Sequence, residues 1–147
     1  MRFAILALLV FSCAQAQARL AEGSPRRTSS VCVKDVCITV EVVSKLKDMQ
    51  RGLQGRDNLA DHHGMLFVFD TDDFHNFWMK DMTFAIDMIW IDNQYHIAAI
   101  APSRPPCIQD PCQVYTPSQK TRYVLEVPEG FAFQHQLKTG DVLKFNL

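Results

Sequence analysis

The sequence predicts a mainly β domain, folded as an antiparallel sandwich or a partly closed barrel with one or two short helices. Short runs of β-branched and aromatic residues, separated by turn residues, recur along most of the chain, whereas helical patterns are few. Hydrophobic residues make up 48% and charged residues 21% of the 147 residues, which is typical of one globular domain. No apolar run reaches the ~18 residues that a membrane-spanning helix needs.

The first 18 residues have the pattern of a secretory signal peptide. Arg2 supplies a positive charge, Phe3–Phe11 is an apolar core, and Ser12–Ala18 is rich in small residues and contains A-Q-A twice. We therefore predict that the protein is exported, to the periplasm or outside the cell. An alternative is a lipid anchor on Cys13, since the residues before it weakly resemble a lipobox.

The rest of the chain divides into a short leader and one domain. Residues 19–30 are polar and contain Gly, Pro and Ser, which predicts a flexible leader before a single domain over residues 31–147. Strands are predicted, in order, at Cys37–Val43, Met65–Phe69, Phe74–Met79, Phe84–Ile91, Tyr95–Ala101, Thr121–Val127 and Asp141–Leu147. Short helices are predicted at Ser44–Gln50 and Glu129–Lys138.

Four cysteines of the predicted mature chain form two C-x4-C pairs. If Lys34 and Asp35 form a two-residue turn, Cys32 lies opposite Cys37 on adjacent strands, near enough to form a disulfide. The second pair is Cys107 with Cys112, which would staple the long proline-rich loop Pro102–Gln119. The alternatives are a zinc site built from both pairs and a redox centre, although the usual C-x-x-C spacing of a redox dithiol is absent.

The charge and the histidines exclude several classes of partner. A formal net charge of −1 and the lack of a basic block argue against a nucleic-acid binder. His62 and His63 are adjacent, so on a strand they would point to opposite faces and could not share a metal ion. We therefore expect no metal, no cofactor, no nucleic-acid partner, no transmembrane segment in the mature chain, and a monomer.

Charged residues within apolar strands form a candidate pocket. Asp87 lies between Ala85 and Ile89 on one face of its strand, and Glu126 faces the same way as Val124 in the run Tyr123–Val127. Carboxylates in such surroundings normally have a partner.

One hypothesis gathers these acids around a pocket with the remaining candidates, Arg56, Lys80 and Asp81. In the other, they belong to a solvated strand face with one structural ion pair. We expect Lys80 to be the partner of Asp87, with Arg56 as the second candidate.

The chain resembles the uncharacterised domain-of-unknown-function family 192 over about Val40–Leu147. The residues that carry the resemblance are Arg51–Arg56 (RGLQGR), Gly64–Phe69 (GMLFVF), Phe77–Lys80 (FWMK), Ile86–Asp92 (IDMIWID), Tyr123–Val127 (YVLEV) and Gly140–Asp141. The resemblance implies a small barrel-like β fold, found in prokaryotic proteins of which many are exported, and implies no established activity. The chain departs from the family pattern at Asp81, where Asn is common, and at Ala85, where Pro is common.

These observations leave two hypotheses for the function. The first is a non-catalytic exported envelope domain that binds a protein, a glycan or a small ligand. Aromatic residues at Phe74–Trp78, which more often belong to a core, could then line a groove. The alternative is a small hydrolase-like enzyme in which Asp87 and Glu126 act as acid and base while Lys80 positions an anion. The alternative requires all three side chains to lie in one pocket.

Export gives the first testable prediction. Because small residues follow the apolar core, mass spectrometry of the natively expressed protein should find an N-terminus at Gln17 or Arg19. A mature protein that retains Met1 would contradict the prediction. A lipid on Cys13 would support the anchored alternative instead.

Overall fold

The computed structural model describes residues 27–147, so the predicted signal peptide and most of the leader lie outside the described residues. The elements are β1 (Thr28–Val33), β2 (Val36–Val43), α1 (Leu46–Arg51), β3 (His63–Asp73), β4 (Phe77–Trp78), β5 (Ile86–Ile91), β6 (Ile97–Arg104), β7 (Val114–Tyr115), β8 (Thr121–Pro128), α2 (Phe131–Gln134) and β9 (Leu143–Phe145). Within this range no helix is long and apolar enough to cross a membrane. The leader prediction was three residues too long, because residues 28–30 pair with β2.

Seven strands form one curled sheet in the order β6-β5-β8-β3-β2-β1-β9. The two ends of this sheet approach each other, since His96 pairs with Val142 and the Ile97 amide donates to the Asp141 carbonyl over 2.8 Å. The predicted partly closed barrel is therefore confirmed. One difference is that β2 and β3 run parallel, with α1 in the connection between them.

Side chains of the curled sheet pack into two apolar clusters, one on each face. All six residues of β5 are buried. Ile89 and Ile91 belong to the first cluster, to which all seven strands of the sheet and α2 contribute. Met88 and Trp90 belong to the second cluster, which is completed by the segment after α1 and by β4. A strand that is covered on both faces carries no solvent-facing side chain, so any charged group on β5 must be satisfied inside the protein.

Both predicted disulfides are confirmed. Cys32 lies opposite Cys37 across the β1–β2 hairpin, with Cα atoms 4.0 Å apart. Cys107 and Cys112 close the second bridge, with Cα atoms 5.6 Å apart. The Cys107 amide donates to the Met79 carbonyl over 3.0 Å, which fixes the stapled loop beside β4. The predicted long loop is shorter than expected, because β6 extends into its start and β7 lies within it.

Several local features differ from the sequence predictions. Helix α1 begins at Leu46 instead of Ser44, since Lys45 is still extended. Helix α2 is also shorter than predicted, because Gly130 before it and Gln136 after it adopt positive φ angles of 82° and 50°.

Gly64 allows β3 to lie close to β8. A Cβ atom there would lie 2.8 Å from the Glu126 carbonyl oxygen, so the pairing that positions Glu126 needs a glycine.

Candidate ligand pocket

The two buried carboxylates of the sequence-based site lie on opposite faces of the sheet. Asp87 pairs with Val127 across β5 and β8, whereas Glu126 pairs with Met88. Paired residues of antiparallel strands project from the same face, so neighbouring positions on one strand project from different faces. The hypothesis that places Asp87 and Glu126 around one pocket is therefore wrong, and because both side chains are buried, so is the alternative of a solvated strand face.

Asp87 is a structural acceptor of backbone hydrogen bonds. Its carboxylate is fully buried and accepts from the amides of Ser103 (2.8 Å), Gly130 (3.1 Å) and Ala132 (2.8 Å). Ser103 lies in a bulge of β6 with φ 51°, and the other two amides belong to the start of α2. The predicted ion pair with Lys80 or Arg56 was wrong, because three backbone amides satisfy Asp87 instead.

Lys80 and Asp81 lie on the protein surface. The Lys80 Nζ is 3.3 Å from an exposed Asp110 carboxylate and 5.9 Å from the centroid of the Trp78 ring. Asp81 is exposed with φ 57°, a left-handed conformation that Asp and Asn both tolerate. This conformation provides a backbone reason for either residue at position 81.

Arg56 is held by another carboxylate. Its two Nη atoms donate to the two carboxylate oxygens of Glu41 over 2.6 and 2.7 Å, in a bidentate pair. This pairing raises the pKa of Arg56. The Thr83 hydroxyl donates to the Arg56 carbonyl over 2.8 Å, which fixes the backbone of this segment.

Glu126 faces an open cavity, which Lys80, another predicted site residue, also lines. Glu126 is 6% exposed, and within residues 27–147 no group forms a hydrogen bond or ion pair with its carboxyl. Burial raises the pKa of Glu126 to about 8, although the positive charge of Arg56 acts in the opposite direction. The side chain is therefore largely protonated at neutral pH when the cavity is empty.

The cavity beside Glu126 has a volume of about 470 Å³. It lies between α1, the turn after α1, β3, β4 and β8. Its apolar lining is formed by Leu46, Met49, Leu53, Phe67, Phe69, Phe77, Trp78 and Met82. Lys80 and Arg51 contribute cationic groups to the same lining. A mostly apolar pocket of this size with few polar groups is typical of small-ligand sites.

The aromatic wall of this pocket is built from rings that support one another. Phe77 packs edge-on against Phe67 at 4.8 Å between centroids and against Trp90 at 6.2 Å. Phe69 stacks on His75 at 3.5 Å. Trp78 remains 52% exposed. The wall therefore has a packed base and one accessible indole.

Of the residues that line this cavity, the sequence indicated Glu126 and Lys80 as site candidates, and it indicated Phe77 and Trp78 only as part of a less favoured groove. Sequence reasoning missed Met49, Leu53 and Phe67, which come from elements distant in sequence. Two of these residues lie in sequence blocks that carry the family resemblance: Leu53 in R-G-L and Phe67 in G-M-L-F. These blocks were therefore a signal for part of the cavity lining.

The stapled loop brings together three residues of types that bind metals. Ligand atoms of Cys107, Asp110 and Cys112 lie within 4.8 Å of one another. The two sulfurs are bonded to each other, so only the carboxylate remains able to bind a cation.

The fold and the cavity define a small curled-sheet domain with a ligand-sized pocket. The chain belongs to the family DUF192, described as Uncharacterized ACR, whose model matches residues 29–145. The predicted family membership is therefore confirmed.

Two solved structures share this fold. A Sinorhizobium meliloti 1021 protein, described as a proposed transcription regulator, is 24% identical with a TM-score of 0.78; the match covers 84% of this chain and 97% of that one. A Novosphingobium aromaticivorans DSM 12444 protein of unknown function is also 24% identical, with a TM-score of 0.70, covering 80% and 83%. No curated protein matches the chain. At this identity the two structures show the fold alone.

The three amides around Asp87 predict a loss of stability in Asp87→Asn. An amide side chain would turn its NH2 group toward a backbone N–H, so we expect the free energy of unfolding to fall by about 1.5–3 kcal/mol. Urea unfolding monitored by circular dichroism would measure the change. Adding Lys80→Met should not restore stability, and the exposed Asp110→Asn should change it by less than about 0.5 kcal/mol. Recovery in the double variant would contradict this role of Asp87.

The raised pKa of Glu126 predicts a pH-dependent stability. Between the unfolded pKa near 4.5 and the folded pKa near 8, the folded state binds more protons, so stability should fall as pH rises through this window. Glu126→Gln should flatten the fall and be more stable than the wild type at pH 8. Urea unfolding at pH 5 and pH 8 would test this. An equal pH dependence in both proteins would contradict the prediction.

Proposed function

We propose that this protein is a non-catalytic, exported envelope domain that binds a small ligand, or one side chain of a partner, in the pocket of Glu126. The observation that carries the proposal is the Glu126 carboxyl, which is 6% exposed, has no hydrogen-bond or ion-pair partner among residues 27–147, and faces an aromatic cavity of about 470 Å³. Buried polar groups in proteins normally have a hydrogen-bond partner. A ligand would supply the missing partner.

The accessible Trp78 supports this proposal. Exposed aromatic side chains beside a cavity are common anchors for ligands, since they offer a large apolar surface with little conformational freedom to lose. Phe77, immediately before it, is fixed between Phe67 and Trp90. The pocket is therefore largely preformed, which lowers the entropic cost of binding.

Export is supported by the cysteines and by the beginning of the chain. Two disulfides are typical of an oxidising compartment outside the cytosol. The apolar core of residues 3–11 followed by small residues has the pattern of a secretory signal. A periplasmic or extracellular location is therefore part of the proposal.

The enzymatic alternative required Asp87 and Glu126 to act as acid and base in one pocket. Asp87 and Glu126 lie on opposite faces of the sheet, and Lys80 pairs with Asp110. The two carboxyl groups therefore cannot act together on one substrate. A glycan or protein partner remains compatible with the pocket if it inserts one group toward Glu126.

The proposal predicts that fragment binding depends on Trp78. In a nuclear magnetic resonance screen of small aromatic and aliphatic fragments with polar heads, hits should shift amides around Trp78, Phe69 and Glu126. Trp78→Ala should weaken these hits by about five- to 150-fold, because stacking of a ring on an exposed aromatic side chain contributes about 1–3 kcal/mol. It should melt close to the wild type, since the ring is half exposed.

Phe133→Ala is the matched control, because Phe133 is an exposed aromatic residue on α2 that does not line this cavity. It should leave fragment binding unchanged. Hits that shift other surfaces, or that bind Trp78→Ala normally, would overturn the proposed site.

A further inference from the structure

We infer that the ligand group received by this pocket is an organic ammonium on a short apolar stem, bound between the Glu126 carboxylate and the aromatic wall. The inference deepens the proposed function and rests on it. It concerns the chemical class of the ligand and leaves open whether the ammonium belongs to a free small molecule or to a side chain of a partner.

The nearby side-chain cations Arg56 and Lys80 form their ion pairs with other carboxylates and not with Glu126. Arg56 directs both of its Nη atoms to Glu41. Lys80 is engaged by Asp110 and lies over Trp78. Within residues 27–147 no positive group forms a hydrogen bond or ion pair with the Glu126 carboxylate, so an entering ammonium would provide the charge and the hydrogen-bond donors that the ionised form needs.

The aromatic wall favours the same ligand class. The faces of Trp and Phe rings attract cations, and the attraction grows when water is excluded. Lys80 shows this contact within the molecule, since its ammonium lies 5.9 Å from the centroid of the Trp78 ring. The apolar lining that includes Met49 and Leu53 would receive the aliphatic stem of the ligand.

A metal ion fits this lining poorly. Calcium and magnesium are usually bound through carboxylates, and Glu126 is the one carboxylate in a lining whose other side-chain oxygens are the neutral amides of Gln50, Gln54 and Asn76. An organic ammonium needs fewer ligands, because its alkyl groups gain from the apolar walls.

Matched probes of equal shape test the inference. Choline is compared with its neutral carbon analogue, 3,3-dimethylbutan-1-ol, and hexylammonium with hexan-1-ol, by titration calorimetry and amide shifts at pH 7.5. We expect at least one ammonium to bind the purified protein about tenfold more tightly than its alcohol. The shifted amides should include Trp78 and Glu126.

Variants of Glu126 separate charge from shape. Glu126→Gln should remove the preference for the ammonium and keep the affinity for the alcohols within about twofold. Glu126→Asp should retain part of the preference. The matched control is Glu129→Gln, since Glu129 lies three residues later, is exposed and does not line this cavity. Thermal melting would verify that each variant is folded.

Each outcome bears on the inference. Equal affinity for both members of each pair, or a preference that survives in Glu126→Gln, overturns it. Alcohols that bind in the pocket without an ammonium preference would leave the proposed function standing and the ammonium inference refuted. If none of the four probes binds, the ammonium inference is refuted, whereas the proposed pocket stands or falls on the Trp78 fragment screen.

Discussion

The burial of β5 on both faces is the constraint on which the rest of the structure depends. It forces the sheet to have one packed cluster inside the curl and another outside it, so the strand is a partition between two separate interiors. The barrel closes over the first interior through β9 and β6. The second interior is covered by the short elements α1 and β4, and their incomplete cover leaves the cavity. The closed interior that stabilises the fold and the cavity therefore lie on opposite faces of the same strands.

The two buried carboxylates illustrate this division. Asp87 faces the closed interior, where three backbone amides replace its lost water and connect β5 with the β6 bulge and α2. Glu126 faces the incompletely covered interior, and no amide of residues 27–147 donates to its carboxyl. The first carboxylate stabilises the fold, whereas the second lowers stability whenever it is ionised. A buried ionisable group that lowers folding stability beside a cavity is a common feature of functional sites, because the same group can bind a ligand.

Much of the fold could be predicted from the sequence, because alternation and turn residues are local signals. The Cys32–Cys37 register followed from a two-residue turn, and the need of Asp87 for a hydrogen-bonding partner followed from its apolar neighbours. Which face each acid occupies depends on the register between β5 and β8, and no local signal sets that register. The pairing of Lys80 with Asp110 was equally out of reach, since it depends on the path of the stapled loop.

The two tryptophans lie at different depths of the second interior, so each reports on a different part of it. Trp90 is buried in the second cluster, and its Nε1 donates to the His75 carbonyl over 2.8 Å. Trp78 has half of its surface in water beside the cavity. Indole emission shifts to longer wavelength in polar surroundings, so the two rings should emit at the blue and red ends of the protein's spectrum. A water-soluble quencher should therefore reduce the emission of Trp78. The emission of Trp90 should stay unquenched until the sheet unfolds.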